Sequence, residues 1–113
     1  MLSLFSKKNI VQNLDSDTFE KMIQETEDAI ILDVRTEEEY NQVRIPKSVL
    51  IDIYKTDFLN QIEKLDKEKT YFVYCRSGSR SYNAAVQMQR MGFQKVYNLG
   101  NGIIEWYGPV ESN

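Results

Sequence analysis

The stretch that decides the fold is a run of strand-forming residues that leads into a small polar loop: Thr70-Tyr71-Phe72-Val73-Tyr74-Cys75-Arg76-Ser77-Gly78-Ser79-Arg80. Residues 70–74 are β-branched or aromatic, which is typical of a buried strand. After the loop, Ala84, Ala85, Met88 and Met91 recur at helical spacing and predict a helix with one buried face. The sequence therefore places a cysteine between a strand and a helix.

The loop has the composition of an anion-binding site. Where the carboxyl end of a strand leads into a helix N-terminus, successive backbone N–H groups point inward, and the helix dipole reinforces their field. Such a field favours the thiolate of Cys75 over its thiol. Ser77, Gly78 and Ser79 are small enough to let the backbone curl around the sulfur. We therefore predict a nucleophilic thiolate that faces an anion and is exposed and prone to oxidation.

Two arginines, Arg76 and Arg80, add positive charge to this loop. Guanidinium groups can hold an anionic substrate such as thiosulfate or phosphate. The alternative interpretation is a buried structural cysteine at a strand end, which is the commoner role of a lone cysteine. The two arginines close to Cys75 favour the reactive interpretation.

Strand-like and helix-like segments alternate along the rest of the chain. Besides residues 70–74, the strand-like segments are 9–13, 29–34, 48–53 and 95–98. Amphipathic helical patterns lie between them. Alternation of this kind predicts an α/β fold with a mainly parallel sheet.

The predicted helices carry recognisable end signals. Ser16 is expected to cap the first helix, and Thr36 with Glu39 forms a capping box for a second one. Gly92 fits a Schellman-type stop for the helix that follows the cysteine loop. Further helical segments are predicted at 58–65 and 102–106.

Length and composition are those of one soluble globular domain that spans residues 1–113. The chain is 42% hydrophobic and 27% charged. Its net charge of −3 argues against a nucleic-acid binder, which would show a basic excess. No apolar run approaches the ~20 residues that cross a bilayer, and residues 1–5 are too short for a signal-peptide core. We expect a cytoplasmic protein without nucleic-acid or membrane partners.

A single cysteine and the lack of histidine restrict the available chemistry. An internal disulfide is impossible, and the usual Cys/His zinc sites, Ser-His-Asp triads and Cys-His pairs cannot be built. We therefore predict no metal and no cofactor, with Cys75 as the candidate nucleophile. A covalent intermediate on Cys75 must be passed to an external acceptor, because no second cysteine can resolve it.

Three motifs, in the same order along the chain, resemble signatures of the rhodanese family of sulfurtransferases. Residues 75–81 resemble its active-site loop, and residues 99–106 resemble its closing segment. Residues 32–36, 39–40 and 44–46 together resemble its first signature. Three ordered motifs are far more specific than one cysteine loop.

The resemblance covers a core of about residues 14–107. It implies a rhodanese-like α/β fold, with a five-stranded parallel sheet flanked by helices on both faces. It also implies that the Cys75 thiolate takes the outer sulfur of thiosulfate or of a persulfide, and passes it to a thiol or cyanide acceptor. N–H groups of residues 76–80 would surround that sulfur, while Arg76 and Arg80 would orient the anionic donor. A persulfide-donating or sulfur-accepting protein is a further expected partner.

Two alternative functions stay open at this point. A non-catalytic rhodanese-like module would bind or regulate a partner protein, although such modules often lack the cysteine or the loop arginines that are present here. A small phosphatase or arsenate reductase is disfavoured by loop length. Those loops place five residues between cysteine and arginine, whereas four lie between Cys75 and Arg80.

Other residues of the resembling motifs are expected to be structural. Asp33 ends a buried strand, and Arg35 is expected to pair with it or with Glu39. Trp106 is expected to be a core or pocket-wall residue, because an indole buries a large area.

The chain departs from the family pattern at four positions: Val43, Arg44, Lys47 and Asn101. Glycine and histidine usually precede the Ile-Pro pair, and glycine usually stands at the other two positions. Asparagine tolerates left-handed backbone, so we expect the turn at Asn101 to survive. We expect these changes to affect donor preference and the partner surface rather than the chemistry.

Overall fold

Strand β4, Thr70–Tyr74, lies at the centre of the sheet and is buried along its whole length. The structure is a computed structural model that describes residues 11–113. Its sheet has five strands in the order β1-β5-β4-β2-β3, and every pairing is parallel. The other strands are β1 Gln12–Leu14, β2 Ala29–Asp33, β3 Val49–Leu50 and β5 Lys95–Leu99.

Four α-helices cover the sheet. They are α1 Ser16–Glu25, α2 Glu37–Gln42, α3 Phe58–Glu63 and α4 Ser79–Arg90. A 3₁₀ turn, Ile103–Glu105, follows the last strand. Each parallel connection requires a crossover, and helices or loops supply it here as the alternating pattern predicts.

Alternate residues of β4 point to opposite faces and enter two separate cores. Tyr71 and Val73 join the first core, which includes residues of α3 and α4: Phe58, Ile62, Ala84, Ala85 and Met88. Phe72 and Tyr74 join the second core, on the face covered by α1: Leu14, Phe19, Ile31, Ile45, Leu99 and Trp106. The predicted α/β architecture, a five-stranded parallel sheet with helices on both faces, is therefore confirmed.

Phe19 of α1 is the aromatic centre of the second core. Its ring lies edge-on to Phe72 at 5.6 Å and to Trp106 at 5.9 Å between centroids. The indole N–H of Trp106 donates to the Pro109 carbonyl at 2.9 Å. The expected structural role of Trp106 is therefore confirmed, since its ring packs in the core and its polar atom has a partner.

Several predicted boundaries were wrong. The first helix is capped by Asp15 rather than Ser16, because the Asp15 carboxylate accepts from the Thr18 N–H at 2.9 Å. The segment predicted as a strand at 48–53 is a regular strand only at Val49–Leu50, although the N–H groups of Ile51 and Ile53 still donate to the carbonyls of Asp33 and Val34, at 2.9 and 3.1 Å. Part of the strand predicted at 9–13 lies outside the described residues, and β1 begins at Gln12.

The helix-end signals on α2 and α4 are confirmed. Thr36 and Glu39 form both halves of a capping box. At the end of α4, the N–H of Phe93 donates to the Met88 carbonyl at 3.0 Å, and the N–H of Gly92 donates to Gln89 at 3.1 Å. That pair of bonds is a Schellman motif. Within residues 11–113, no helix is long and apolar enough to cross a membrane.

Candidate active site

The loop that carries Cys75 lies at the carboxyl edge of the sheet, between β4 and the first turn of α4. Cys75 is only 1% exposed, so the prediction of an exposed thiolate was wrong. The sulfur lies beneath the loop because the chain of residues 76–81 folds back over it. Arg76, Ser77 and Ser79 are exposed on the outer side.

Three hydrogen-bond donors converge on the Cys75 sulfur. The N–H of Gly78 lies 3.2 Å from Sγ, and the N–H and hydroxyl of Ser81 each lie 3.3 Å from it. Burial by itself raises the pKa of the thiol. The hydrogen bonds from the Ser81 hydroxyl and from the backbone of Ser81, Gly78 and Ser77 outweigh it, and the pKa is lowered. The loop therefore stabilises a thiolate, as predicted.

Ser81 is the last residue of the motif 75–81, and its contact with the sulfur was not predicted from the sequence. It is fully buried in the first turn of α4, where its hydroxyl also lies 3.3 Å from the Gly78 carbonyl. A signal was available in the sequence: a short hydroxyl side chain three positions after the glycine that caps the helix. At that spacing a residue lies over the same end of the helix as the loop.

Gly78 caps α4 with a left-handed backbone, at φ 99°. A Cβ atom at this position would come within 2.0 Å of the Gly100 carbonyl oxygen, so no larger residue fits. The buried amide of Asn98, on β5, donates to the Gly78 carbonyl at 3.1 Å. This bond fixes the orientation of the Gly78 carbonyl. It thereby also restrains the Gly78 N–H, which faces the sulfur.

The segment after β5 supports the loop from outside. The N–H groups of Ile103 and Ile104 donate to the carbonyls of Cys75 and Arg76, at 3.0 and 3.2 Å. Gly102 permits this approach: its φ is 74°, and a Cβ there would lie 2.0 Å from the Arg76 oxygen. The left-handed residue of this turn is Gly102 and not Asn101, so the departure at Asn101 needs no unusual backbone.

Arg80 is held by a carboxylate. Its guanidinium makes a two-pronged ion pair with Glu39 of α2, with both N···O distances 3.0 Å, and lies 5.6 Å from the centre of the Tyr54 ring. The bonds from Arg80 lower the pKa of Glu39 to about 2, and those bonds raise the pKa of Arg80. Arg80 was expected to orient a donor, and its pairing with Glu39 was not predicted from the sequence.

Arg35 pairs with Asp33 rather than with Glu39. Both residues are buried, the closest N···O distance is 2.7 Å, and the guanidinium also donates to the Val43 carbonyl. The Arg35 guanidinium lies 5.3 Å from the centre of the Tyr74 ring. These contacts tie β2 to the segment after α2, so the expected structural role of Asp33 and Arg35 is confirmed.

Lys47 takes the left-handed backbone that the family's usual glycine would supply, with φ 69°. Arg44 is joined to the C-terminal segment by two backbone bonds of 2.9 Å to Glu111 and by an ion pair of 3.1 Å. Among residues 11–113, no three His, Cys, Asp or Glu side chains are grouped as metal ligands.

The arrangement places a stabilised thiolate at the end of a parallel sheet, with the N–H groups of Ser77, Gly78 and Ser81 and the Ser81 hydroxyl directed to the sulfur. A sulfur nucleophile in this setting can attack an electrophilic atom, and these donors can then hold the charge of the product. Asn98 fixes the Gly78 carbonyl, and the glycines make the close approaches possible.

The sequence profile described as "Rhodanese-like domain" matches residues 15–108. A protein called "Sulfurtransferase" from Allochromatium vinosum is 32% identical over 97 residues, which cover 86% of this chain and 89% of that protein. A "tRNA uridine(34) hydroxylase" from Pelagibacter ubique is 33% identical over 111 residues, which cover 97% of this chain but 36% of that protein.

Among solved structures, a "Rhodanese-like Domain Protein" from Staphylococcus aureus superposes with a TM-score of 0.78 at 23% identity, over 91% of this chain and 99% of that one. The fold, the family profile and the curated sulfurtransferase agree with one another. The chain therefore belongs to the rhodanese-like domain family.

Proposed function

We propose that this protein is a sulfurtransferase that carries sulfur as a persulfide on Cys75. The observation that supports this proposal most directly is the convergence of three hydrogen-bond donors on the Cys75 sulfur. A structural cysteine in a core needs no such donors, since it packs as a small hydrophobic residue. Family membership and a curated sulfurtransferase relative add further support.

In the first step, an electron pair of the Cys75 thiolate forms a bond to the outer sulfur of thiosulfate, or to the outer sulfur of a persulfide. The bond between that sulfur and the rest of the donor breaks, and its electron pair leaves on sulfite or on a thiol. The product is a Cys75 persulfide. Its terminal sulfur bears the negative charge that the N–H groups of the loop are placed to stabilise.

In the second step, a thiol or cyanide attacks the terminal sulfur and takes it away, and Cys75 leaves as the thiolate. The acceptor must come from outside, because the chain has a single cysteine. A small thiol, cyanide or a sulfur-accepting protein are the proposed acceptors, and a persulfide-bearing protein is a proposed donor. A free thiol is kept reduced in the cytoplasm, so we propose a cytoplasmic location.

The loop residues have separate proposed roles. Cys75 is the nucleophile. The N–H groups of Ser77 and Gly78 and the side chain of Ser81 hold the charged sulfur. Arg76 is exposed at the outer side of the loop, where it can attract an anionic donor.

The test is the intact mass of the protein after incubation with thiosulfate, measured before and after a thiol reductant. We expect a gain of one sulfur atom that the reductant reverses and that Cys75→Ser lacks. The substitution is nearly isosteric, so the variant should retain the native circular-dichroism spectrum. Transfer activity in Cys75→Ser would contradict the proposal.

If Cys75 reacts with a thiol probe but the mass does not change with thiosulfate, the incubation is repeated with polysulfide as the donor. No gain with either donor would favour the second candidate, a non-catalytic module that binds a partner protein. The observation that favours this second candidate is the 1% exposure of Cys75, because a donor must reach a nearly covered sulfur.

A further inference from the structure

The cysteine loop carries less net positive charge than its two arginines suggest. Arg80 and Glu39 form a two-pronged ion pair, so their charges cancel next to the loop. None of the ion pairs found among residues 11–113 involves Arg76, which is exposed. One net positive side chain therefore remains on the loop in place of two.

Glu39 is fixed in place by more than Arg80. Its carboxylate also accepts from the N–H and hydroxyl of Thr36, at 3.0 and 3.1 Å, as part of the capping box of α2. The Arg80 guanidinium also lies over the Tyr54 ring, 5.6 Å from its centre. A two-pronged bond to a preorganised carboxylate is stronger than a single contact to a mobile anion. We therefore expect Glu39 to stay paired with Arg80 when a donor binds.

Arg80 belongs to the loop that surrounds the Cys75 sulfur, since the N–H of the next residue, Ser81, lies 3.3 Å from Sγ. In keeping with this position, the negative charge of the Cys75 thiolate is one of the causes that raise the pKa of Arg80. Any charge left over at the pair therefore acts on a negative donor that approaches the sulfur. Thiosulfate brings two negative charges, whereas a persulfide or a thiosulfonate brings one.

We propose that Glu39, by neutralising Arg80, is a specificity-determining residue that makes the site favour sulfur donors with at most one negative charge over the thiosulfate dianion. This inference rests on the proposed persulfide chemistry of Cys75. The physiological donor is then of the persulfide class, and thiosulfate is a poor substitute. Glu39 acts through Arg80 and is not itself a catalytic residue.

Two donors that differ by one charge test the proposal. Thiosulfate and methanethiosulfonate both give up an outer sulfur: one releases sulfite, the other methanesulfinate. Each leaves the same persulfide on Cys75. The quantity measured is the ratio of kcat/KM for thiosulfate to kcat/KM for methanethiosulfonate, with cyanide as the common acceptor. A general loss of activity lowers both values and leaves this ratio unchanged.

Three variants change the charge of the pair in known steps. Glu39→Gln leaves a net positive charge, Arg80→Gln leaves a net negative one, and the double variant is neutral like the wild type. Glutamine also serves at the third position of a capping box, so Glu39→Gln should keep α2 intact. The control is Glu63→Gln. It breaks the exposed ion pair between Glu63, the last residue of α3, and Lys67.

We expect Glu39→Gln to raise the donor ratio about tenfold and Arg80→Gln to lower it about tenfold, as one unit charge near the sulfur would at an intermediate effective dielectric. The double variant should return the ratio to near the wild-type value, and Glu63→Gln should not change it. Raised salt should reduce both shifts.

Equal losses for both donors in every pair variant would overturn the proposal and leave Glu39 with a purely structural role. An unchanged ratio in Glu39→Gln, with persulfide still formed on Cys75, would overturn it too. Failure of the wild type to form a persulfide with either donor is a different result, because it removes the proposed function and this inference together. Since Arg80→Gln shifts the ratio in the opposite direction, the test holds even where one variant folds poorly.

Discussion

The backbone is left-handed at both position 78 and position 47, but the first is a glycine and the second a lysine. At Gly78, φ is 99° and a Cβ would lie 2.0 Å from the Gly100 oxygen. At Lys47, φ is 69° and the side chain is exposed. The cysteine loop thus requires glycine for conformation and for space, whereas at position 47 the backbone conformation alone favours glycine and lysine is accepted. A conformational penalty can be tolerated on the surface, but a clash under the cysteine loop cannot.

The two regions also differ in what holds them. The cysteine loop is fixed by bonds from β5 and from the turn after it, through Asn98, Ile103 and Ile104. The segment around Lys47 is held by two tyrosine hydroxyls. That of Tyr74 lies 3.1 Å from both the Ile45 nitrogen and the Ser48 hydroxyl, and that of Tyr40 donates to the Ser48 carbonyl at 2.7 Å. Strain of about 1–2 kcal/mol at Lys47 is the expected cost of a non-glycine residue there.

The largest effect is expected from Gly78→Ala. The added methyl group would overlap the Gly100 carbonyl, so the loop must move or the protein must unfold. We expect the free energy of unfolding to fall by about 3 kcal/mol or more, with loss of sulfur transfer, as measured by urea denaturation and a donor assay.

Gly92→Ala is the matched control for this substitution. Gly92 has a similar φ of 107°, but a Cβ there would meet only the Lys67 side chain, at 3.5 Å. Its expected cost is about 1 kcal/mol, from conformation alone. Equal costs at Gly78 and Gly92 would show that space under the loop does not matter.

The substitution Glu39→Gln tests how strongly the ion pair between Arg80 and Glu39 anchors the cysteine loop to α2. The pKa of Glu39 is about 2 in the folded protein and 4.5 without its contacts. Because the folded-state value is the lower one, the stabilisation is complete above pH 4.5 and is lost as the pH falls from 4.5 to 2.

We expect Glu39→Gln to lower the free energy of unfolding by about 1–2 kcal/mol at pH 7, after allowance for solvent screening of a partly exposed pair. The difference from the wild type should shrink as the pH is lowered through that window. Denaturant titrations at several pH values measure it, and a difference independent of pH would contradict the charge-based explanation.

Ser81→Ala removes one of the three donors to the Cys75 sulfur and leaves the backbone of the loop in place. The pKa of Cys75 should therefore rise, and alkylation by iodoacetamide at pH 7 should slow about three- to tenfold. Ser79→Ala is the control, because Ser79 is exposed and none of the sulfur contacts involves its side chain. An alkylation rate unchanged in Ser81→Ala would show that backbone N–H groups alone set the reactivity of the thiol.

The smallest effect, and the only gain, is expected from Lys47→Gly. Glycine relieves the left-handed strain but adds conformational freedom to the unfolded chain, which offsets part of the benefit. We expect a net stabilisation of about 0.5–1 kcal/mol by urea denaturation, with little change in activity. Lys55→Gly, at an exposed position without positive φ, should instead be neutral or destabilising.

The predictions made from the sequence succeeded where the signal is local. The strand at 70–74, the capping box of Thr36 and Glu39 and the stop at Gly92 were all correct, because each depends on residues within a few positions of one another. The strand predicted at 48–53 was too long, since the ladder is regular only at Val49–Leu50 and continues as single bonds from the N–H groups of Ile51 and Ile53. Its apolar pattern reflects burial, and burial does not require a regular ladder.

Site predictions divide in the same way. Cys75 and the small residues after it form the loop as expected, since strand, glycine and helix follow each other directly. Ser81 was missed, although it lies in the first turn of α4, because its direction towards the sulfur depends on how that helix packs. The partner of Arg80 was missed because Glu39 lies 41 positions away.

By itself, the sequence determined the alternation of strands and helices, the parallel sheet and the cysteine at its carboxyl edge. Periodicity and turn chemistry act over short stretches of chain, so they are legible in the order of residues. Only the tertiary structure decided that the sulfur is covered, that Arg80 is neutralised and that Gly78 has no room for a side chain. Those properties arise where residues distant in sequence come within a few ångströms, and contact distances and charge pairing are set by the packing of the whole domain.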